Sequence, residues 1–136
     1  MTAGLGRILF VDDEEIQRES MKDILRMLGY DVELAENGGE ALEIFQKEAF
    51  PLIITDLAMP DMDGTQLCRQ IRKINETAVI YAFSGYLADV ASDRLKSAGF
   101  DGHLSKPAKI EVLKHAIEGA FEKNRRRLKR MMKPYT

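Results

Sequence analysis

Short apolar runs alternate with stretches of helical period along the whole chain, and this alternation predicts the elements. "RILFV" (7–11) reads as a buried strand, and Ile16, Ser20, Met21, Ile24 and Leu28 mark one face of a helix that Gly29 ends. "DVELA" (31–35) alternates like a second strand, and Ala41, Leu42, Phe45 and Ala49 mark a second helix. After Pro51, the β-branched run "LIIT" (52–55) suits a central strand buried on both faces. A turn-rich stretch, "DLAMPDMDG" (56–64), leads into a helix with Leu67, Cys68 and Ile71 inward. "TAVIYAF" (77–83) predicts a fourth strand, and Leu87, Ala91, Leu95 and Ala98 a helix closed by Gly99. "DGHLS" (101–105) predicts a short fifth strand, and a last helix after Pro107 carries Ile110, Leu113, Ile117 and Phe121 on one face.

Five strands alternating with five helices predict an α/β fold, a doubly wound parallel sheet with helices on both faces. Ligands in such sheets bind outside the carboxyl ends of the strands. Strand 1 ends in Asp12 and Asp13, strand 3 in Asp56, strand 4 in Ser84, and strand 5 in Ser105 and Lys106. Two like charges about 4 Å apart repel by roughly 4 kcal/mol at an effective dielectric near 20. A hard divalent cation with oxygen ligands reverses that sign, and Mg²⁺ suits the set best, with Mn²⁺ as the alternative. Simpler readings exist for each piece. Asp12 followed by Glu15 resembles a helix capping box, Asp56 and Ser84 suit turns, and Lys106 suits a solvated surface. None of these explains why the ends of separate strands carry the acids, the hydroxyl and the ammonium together.

The bulk composition narrows the class. The 136 residues, 45% hydrophobic and 31% charged, suit one globular domain and exclude a wholly disordered chain. Cys68 is the single cysteine, so no internal disulfide and no cysteine-based zinc site is expected. No apolar run reaches membrane-spanning length and the start lacks a secretory signal, which makes a cytoplasmic protein the expectation. The net charge of −2 conceals an asymmetry. Residues 122–136 hold seven Lys/Arg against Glu122 alone, a net of +6, while residues 1–121 carry −8. The domain is expected over 5–121, with 122–136 a basic extension of the last helix that frays at its end and projects beyond the body. That extension suits a solvated helix end, a partner-docking or homodimerising helix, or a segment that meets nucleic acid or a membrane surface.

The residues that carry a family resemblance are Asp12 and Asp13 after "ILFV", "LIITDLAMPDMDG" around Asp56, Ser84 after "YAF", and "SKP" with Lys106 before Pro107. On them the chain resembles the receiver domain of bacterial two-component response regulators over about residues 6–121. The resemblance implies a flavodoxin-like strand order 2-1-3-4-5 and a phosphorelay signalling function. It implies that Asp56 is the phosphoacceptor for a phosphohistidine of a sensor histidine kinase or phosphotransfer protein. Asp13, Asp56 and the backbone carbonyl of Ala58 would hold Mg²⁺, with Asp12 acting mainly through water. Lys106 and Ser84 would contact phosphoryl oxygens, and the Lys106–Pro107 peptide would be cis. Output would come from Ser84 moving inward and an aromatic residue on strand 5 filling its space, which changes the face of helix 4, strand 5 and helix 5 toward a downstream protein.

Two positions depart from the family pattern. His103 stands where Tyr or Phe is usual, either as a titratable switch or as a passive strand residue. Gly85 replaces the usual Ala, and Ala58 and Tyr86 occupy the positions that control water access to the acyl phosphate. With no room for an output domain, a stand-alone receiver is expected, whose only turnover is its own phosphorylation and dephosphorylation. Two other classes fit less well. A flavodoxin-like cofactor carrier needs a hydroxyl-rich phosphate loop where this chain places four carboxylates. A Mg²⁺-dependent phosphohydrolase with an Asp nucleophile needs an acid where Ala58 stands, and a cap that the chain lacks.

Overall fold

The computed structural model of the chain describes residues 4–85 and 92–132. The strands are β1 (Arg7–Val11), β2 (Asp31–Ala35), β3 (Leu52–Asp56), β4 (Val79–Ser84) and β5 (Gly102–Ser105). They alternate with α1 (Glu15–Met27), α2 (Gly38–Lys47), α3 (Gly64–Ile74), α4 (Ser92–Ala98) and α5 (Ile110–Met131). All strand pairs are parallel, in the order β2-β1-β3-β4-β5. Chain order reverses at β1 and β3, so the carboxyl ends of those two strands flank the crevice where such sheets bind ligands. Tyr86, and Leu87 and Ala91 of the expected fourth helix, lie outside the described residues, as do 133–136 of the extension.

The period of two along the strands divides the core into two layers. Leu9, Val11, Ile53 and Ile80 point to the side covered by Phe45 of α2, by Leu67, Cys68 and Ile71 of α3, and by Leu95 of α4. Ile8, Phe10, Ile54 and Phe83 point to the other side, covered by Met21 and Leu25 of α1 and by Leu113 and Ile117 of α5. All five residues of β3 are buried, as expected for a strand with helices on both faces. Gly29 and Gly99 end their helices as expected. At φ near +101° and +109° they adopt the left-handed conformation. Each makes the paired closing hydrogen bonds, Gly29 to Arg26 and Tyr30 to Leu25, and Gly99 to Lys96 and Phe100 to Leu95.

Several expected inner positions are not inside. Ile16 is 84% exposed and Ser20 is also exposed, because each step of four residues drifts by about 40° around the helix and carries them off the face on which Met21 and Leu25 are buried, while Gln17 and Arg18 of the same turn are half-buried. Ile110, in the first turn of α5, is also exposed, although it shares the face of Leu113 and Ile117. Ala49 follows the end of α2 and is exposed, while its neighbour Phe50 is buried. Strand β4 starts two residues late, since the Asn75 carboxamide oxygen accepts from the amides of Thr77 and Ala78 and holds them in a turn.

The basic extension is helical through Met131 and largely held down. Its 22-residue helix α5 is about 33 Å long at 1.5 Å per residue. Asn124 is buried and donates to the Thr77 carbonyl at 3.0 Å. Arg127 donates to the Ala78 carbonyl and pairs with Asp101, which Arg72 of α3 also binds at 2.8 Å and Lys123 approaches at 3.7 Å. Only the segment after Arg127 projects past these contacts.

Candidate functional site

At the carboxyl edge of the sheet the structure brings together Asp12, Asp13, Asp56 and Lys106. One carboxylate oxygen from each of the three acids lies within 4.8 Å of the others. Asp12 is fully buried, Asp56 nearly so, and Asp13 is exposed. The cluster is open on one side, toward Asp13. The Lys106 ammonium lies 3.3 Å from Asp12 Oδ2 and 3.4 Å from Asp56 Oδ1, and 5.3 Å from the centroid of the Phe83 ring. A single ammonium against three carboxylates leaves about two negative charges. That excess and the all-oxygen donor set fit a hard divalent cation.

Each group is fixed by local structure. Asp12 follows β1, its amide donating to the Ala35 carbonyl, and its Oδ1 accepts from the Glu14 amide at 3.0 Å. The helix begins only at Glu15, with no side-chain cap at Glu14. The expected capping box is therefore absent, and Asp12 instead closes the turn before the helix. Both Asp12 oxygens are engaged, one by this amide and one by Lys106. Arg18 clasps the same turn, donating to the Asp12 carbonyl at 2.8 Å. Asp56 ends β3, where the Thr55 hydroxyl donates to its carbonyl, and the Ala58 amide approaches its Oδ1 at 3.4 Å. Burial raises the Asp56 carboxyl above its ordinary range; Lys106 opposes that rise and Asp12 adds to it.

Lys106 is aimed from β5. Ser84 and Ser105 are in register, the Lys106 amide donates to the Ser84 carbonyl at 3.0 Å, and the Lys106–Pro107 peptide is cis. Ser84 is buried at the end of β4. His103 is exposed, paired with Ala82 on the strand, and borders a groove of about 330 Å³ with Leu104, Pro107 and Val112. It therefore lies on β5 at the edge of the α5 face, away from the acids.

Some supporting residues carry no chemical signature in the sequence. Gly64 has no Cβ because one would collide with the Asp56 carbonyl, so the loop after β3 can fold back against the strand end only with glycine there. The same loop is anchored by Leu57, Met59 and Met62 against the core, and Asp63 with Gln66 forms a reciprocal capping box for α3. The turn residues of "DMDG" could have announced Gly64; nothing in the sequence announces Arg18 or Phe83 as neighbours of the acids.

A five-stranded parallel sheet of order 2-1-3-4-5, with acids at its switch point, defines the flavodoxin-like receiver fold. The model of the response regulator receiver domain matches residues 8–118, and the chain belongs to that family. It is a receiver domain of two-component signalling. The chain is 34% identical over 119 residues to the sensor histidine kinase RcsC of Salmonella typhimurium, covering 88% of this chain and 13% of the kinase. It is 38% identical over 109 residues to the response regulator MprA of Mycolicibacterium vanbaalenii, covering 79% of this chain and 46% of the regulator. The chain thus spans less than half the length of both. The solved CheY-like receiver domain protein from Methanospirillum hungatei superposes with a TM-score of 0.82 at 31% identity, covering 91% of this chain and 99% of that one.

Proposed function

We propose that Asp56 accepts a phosphoryl group from the phosphohistidine of a sensor histidine kinase or phosphotransfer protein, and that this changes the α4–β5–α5 face toward a downstream protein. The observation that carries the proposal is the Lys106 ammonium set between Asp12 and Asp56 in a cluster of three carboxylates. A carboxylate oxygen of Asp56 attacks phosphorus as the bond to the imidazole nitrogen breaks, leaving an acyl phosphate on Asp56 and the imidazole on the donor. There is little covalent work for the protein beyond this, so catalysis rests on position and charge.

Lys106 holds the Asp56 oxygen before transfer and can pair with a phosphoryl oxygen afterwards without leaving the cluster. The Ser84 hydroxyl donates to another phosphoryl oxygen. Asp13, Asp56 and the Ala58 carbonyl would hold Mg²⁺, or Mn²⁺ in its place, while Asp12, with both oxygens engaged, would act through water. The ion, when bound, supplies positive charge against the oxygens of the transferred group. Ala58 offers no acid, so the turnover proposed is limited to the chain's own phosphorylation and the hydrolysis of its acyl phosphate.

Intact mass after incubation with Mg²⁺ and acetyl phosphate tests the assignment. One phosphoryl addition is expected in wild type and none in Asp56→Asn; an addition that persists in Asp56→Asn overturns it.

A further inference from the structure

The edge of the sheet opposite the acids has a composition of its own. Every strand begins there and helices α1, α2, α3, α4 and α5 all end there, because each crossover runs antiparallel to the strands it joins. Among the described residues nine large hydrophobic side chains are exposed, and six of them lie at this edge. They are Leu5 before β1, Met27 at the end of α1, Ile74 at the end of α3, and Leu128, Met131 and Met132 at the end of α5. Ile74 and Met131 face one groove of about 280 Å³. The stripe that buries Ile117, Ala120 and Asn124 continues in helical steps to Leu128 and Met131, where α5 has outrun the body.

Exposed cations share the edge: Arg26, Lys47, Lys73, Lys96, Lys129 and Arg130, each in the last turn of its helix. Arg125 and Arg126 stand just above, balanced only by Glu122. The exposed acids there are Asp31 and Glu76, with Glu48 paired to Arg7. Cations in last turns suit the helix dipole, but the dipole does not call for exposed methionine, leucine and isoleucine at the same place.

We infer that this edge docks on an anionic lipid surface, with the cations at the headgroups and the apolar side chains at the acyl boundary. Of the polyanionic partners, only a bilayer answers both halves of the composition. A nucleic acid answers the cations and leaves the apolar side chains without a role. A second copy of the same edge would bring like charges together. The charge of the rest of the molecule supports the orientation, since Asp12, Asp13, Glu14 and Glu15 lie at the opposite edge and are repelled from anionic lipid, which leaves the site facing the aqueous phase. The inference does not depend on which acid accepts a phosphoryl group.

Co-sedimentation of the full chain with phosphatidylglycerol–phosphatidylcholine vesicles, and with phosphatidylcholine alone, tests it. Binding about tenfold stronger or more to the anionic vesicles is expected, falling as salt is raised. Lys129→Gln/Arg130→Gln and Met131→Ser/Met132→Ser, all exposed positions, should each weaken it severalfold with unchanged circular dichroism. Equal retention on both vesicles overturns the inference. So does a chain that binds duplex DNA but not anionic vesicles, or anionic binding that the methionine variant leaves intact, which would leave simple charge attraction.

Discussion

The Asp56 carboxyl is the residue at which burial, like charge and function meet. Its proton affinity is raised by burial, then lowered by Lys106 and raised by Asp12. A carboxyl with a raised folded value favours the folded state most when protonated, and loses that stability as pH rises from its ordinary value of 3.8 through the raised one. At neutral pH the ionised Asp56 carboxylate of the metal-free protein therefore opposes folding. Asp56→Asn is expected to raise the thermal midpoint of the metal-free protein, with the difference from wild type shrinking as pH falls toward 4; a midpoint unchanged at pH 7 would remove this account. A divalent ion at the proposed site should reverse the balance in wild type. At about 100 times its dissociation constant Mg²⁺ should add roughly 2.7 kcal/mol in urea denaturation, a gain largely lost in Asp13→Asn and Asp56→Asn. Gly64 acts on the same carboxylate from behind. Gly64→Ala forces a methyl group onto the Asp56 carbonyl, and a loss on the order of 3 kcal/mol in the same measurement is expected.

Helix α5 runs on into the basic extension as its charge and spacing suggested, but nothing in that pattern announced that Asn124, Arg127 and Lys123 fasten it to Thr77, Ala78 and Asp101. Burial raises the Asp101 carboxyl, but Arg127, the Ile80 amide and Arg72 together carry it below its ordinary value. A lowered carboxyl contributes stability that is complete above its unfolded value of 3.8 and is lost as pH falls through the lower folded value. Asp101→Asn should therefore flatten the acid limb of the stability profile below about pH 4, where wild type steepens. Arg127→Ala should cost about 1 to 3 kcal/mol at pH 7, since it leaves the buried carboxylate with Arg72, Lys123 and the Ile80 amide and removes its Arg127 bonds. The five strands, their parallel pairing and the glycine stops were legible because period and turn chemistry are local. The acids at the strand ends were legible because topology gathers them. The Asp101 network was not, because Arg72, Asp101 and Arg127 are separated by 29 and 26 residues and look like any solvated charges until the chain folds. Ile16 misled for a different reason: steps of four residues drift by about 40° each, so a row that starts at Ile16 and ends at Leu28 crosses from the outer face of the helix to the inner one.

Taken as a whole, the molecule places its acid cluster at one edge, six of its nine described exposed large apolar side chains and the last-turn cations at the other, and β5 between them with both ends held. Asp101, just before β5, is bound by the Arg72 and Arg127 guanidinium groups, and Lys106, just after it, by Asp12 and Asp56. On the proposed function, a phosphoryl group on Asp56 would compete with the carboxylates for Lys106, and could shift the α4–β5–α5 face only as far as its interactions differ between two arrangements of that strand. His103 is the side chain on β5 best placed to report such a shift, exposed and beside the groove formed with Val112. The chain has two histidines, and the other, His115, is exposed on α5, which gives an internal reference in one spectrum. Proton NMR of the imidazoles before and after Mg²⁺ and acetyl phosphate should move the His103 signals, in position or in titration midpoint, more than those of His115. Asp56→Asn should show neither change. If His103 stays fixed while intact mass records the phosphoryl group, the strand position that usually carries an aromatic switch is passive in this chain, and the face must change through Ser84 and the residues that follow it.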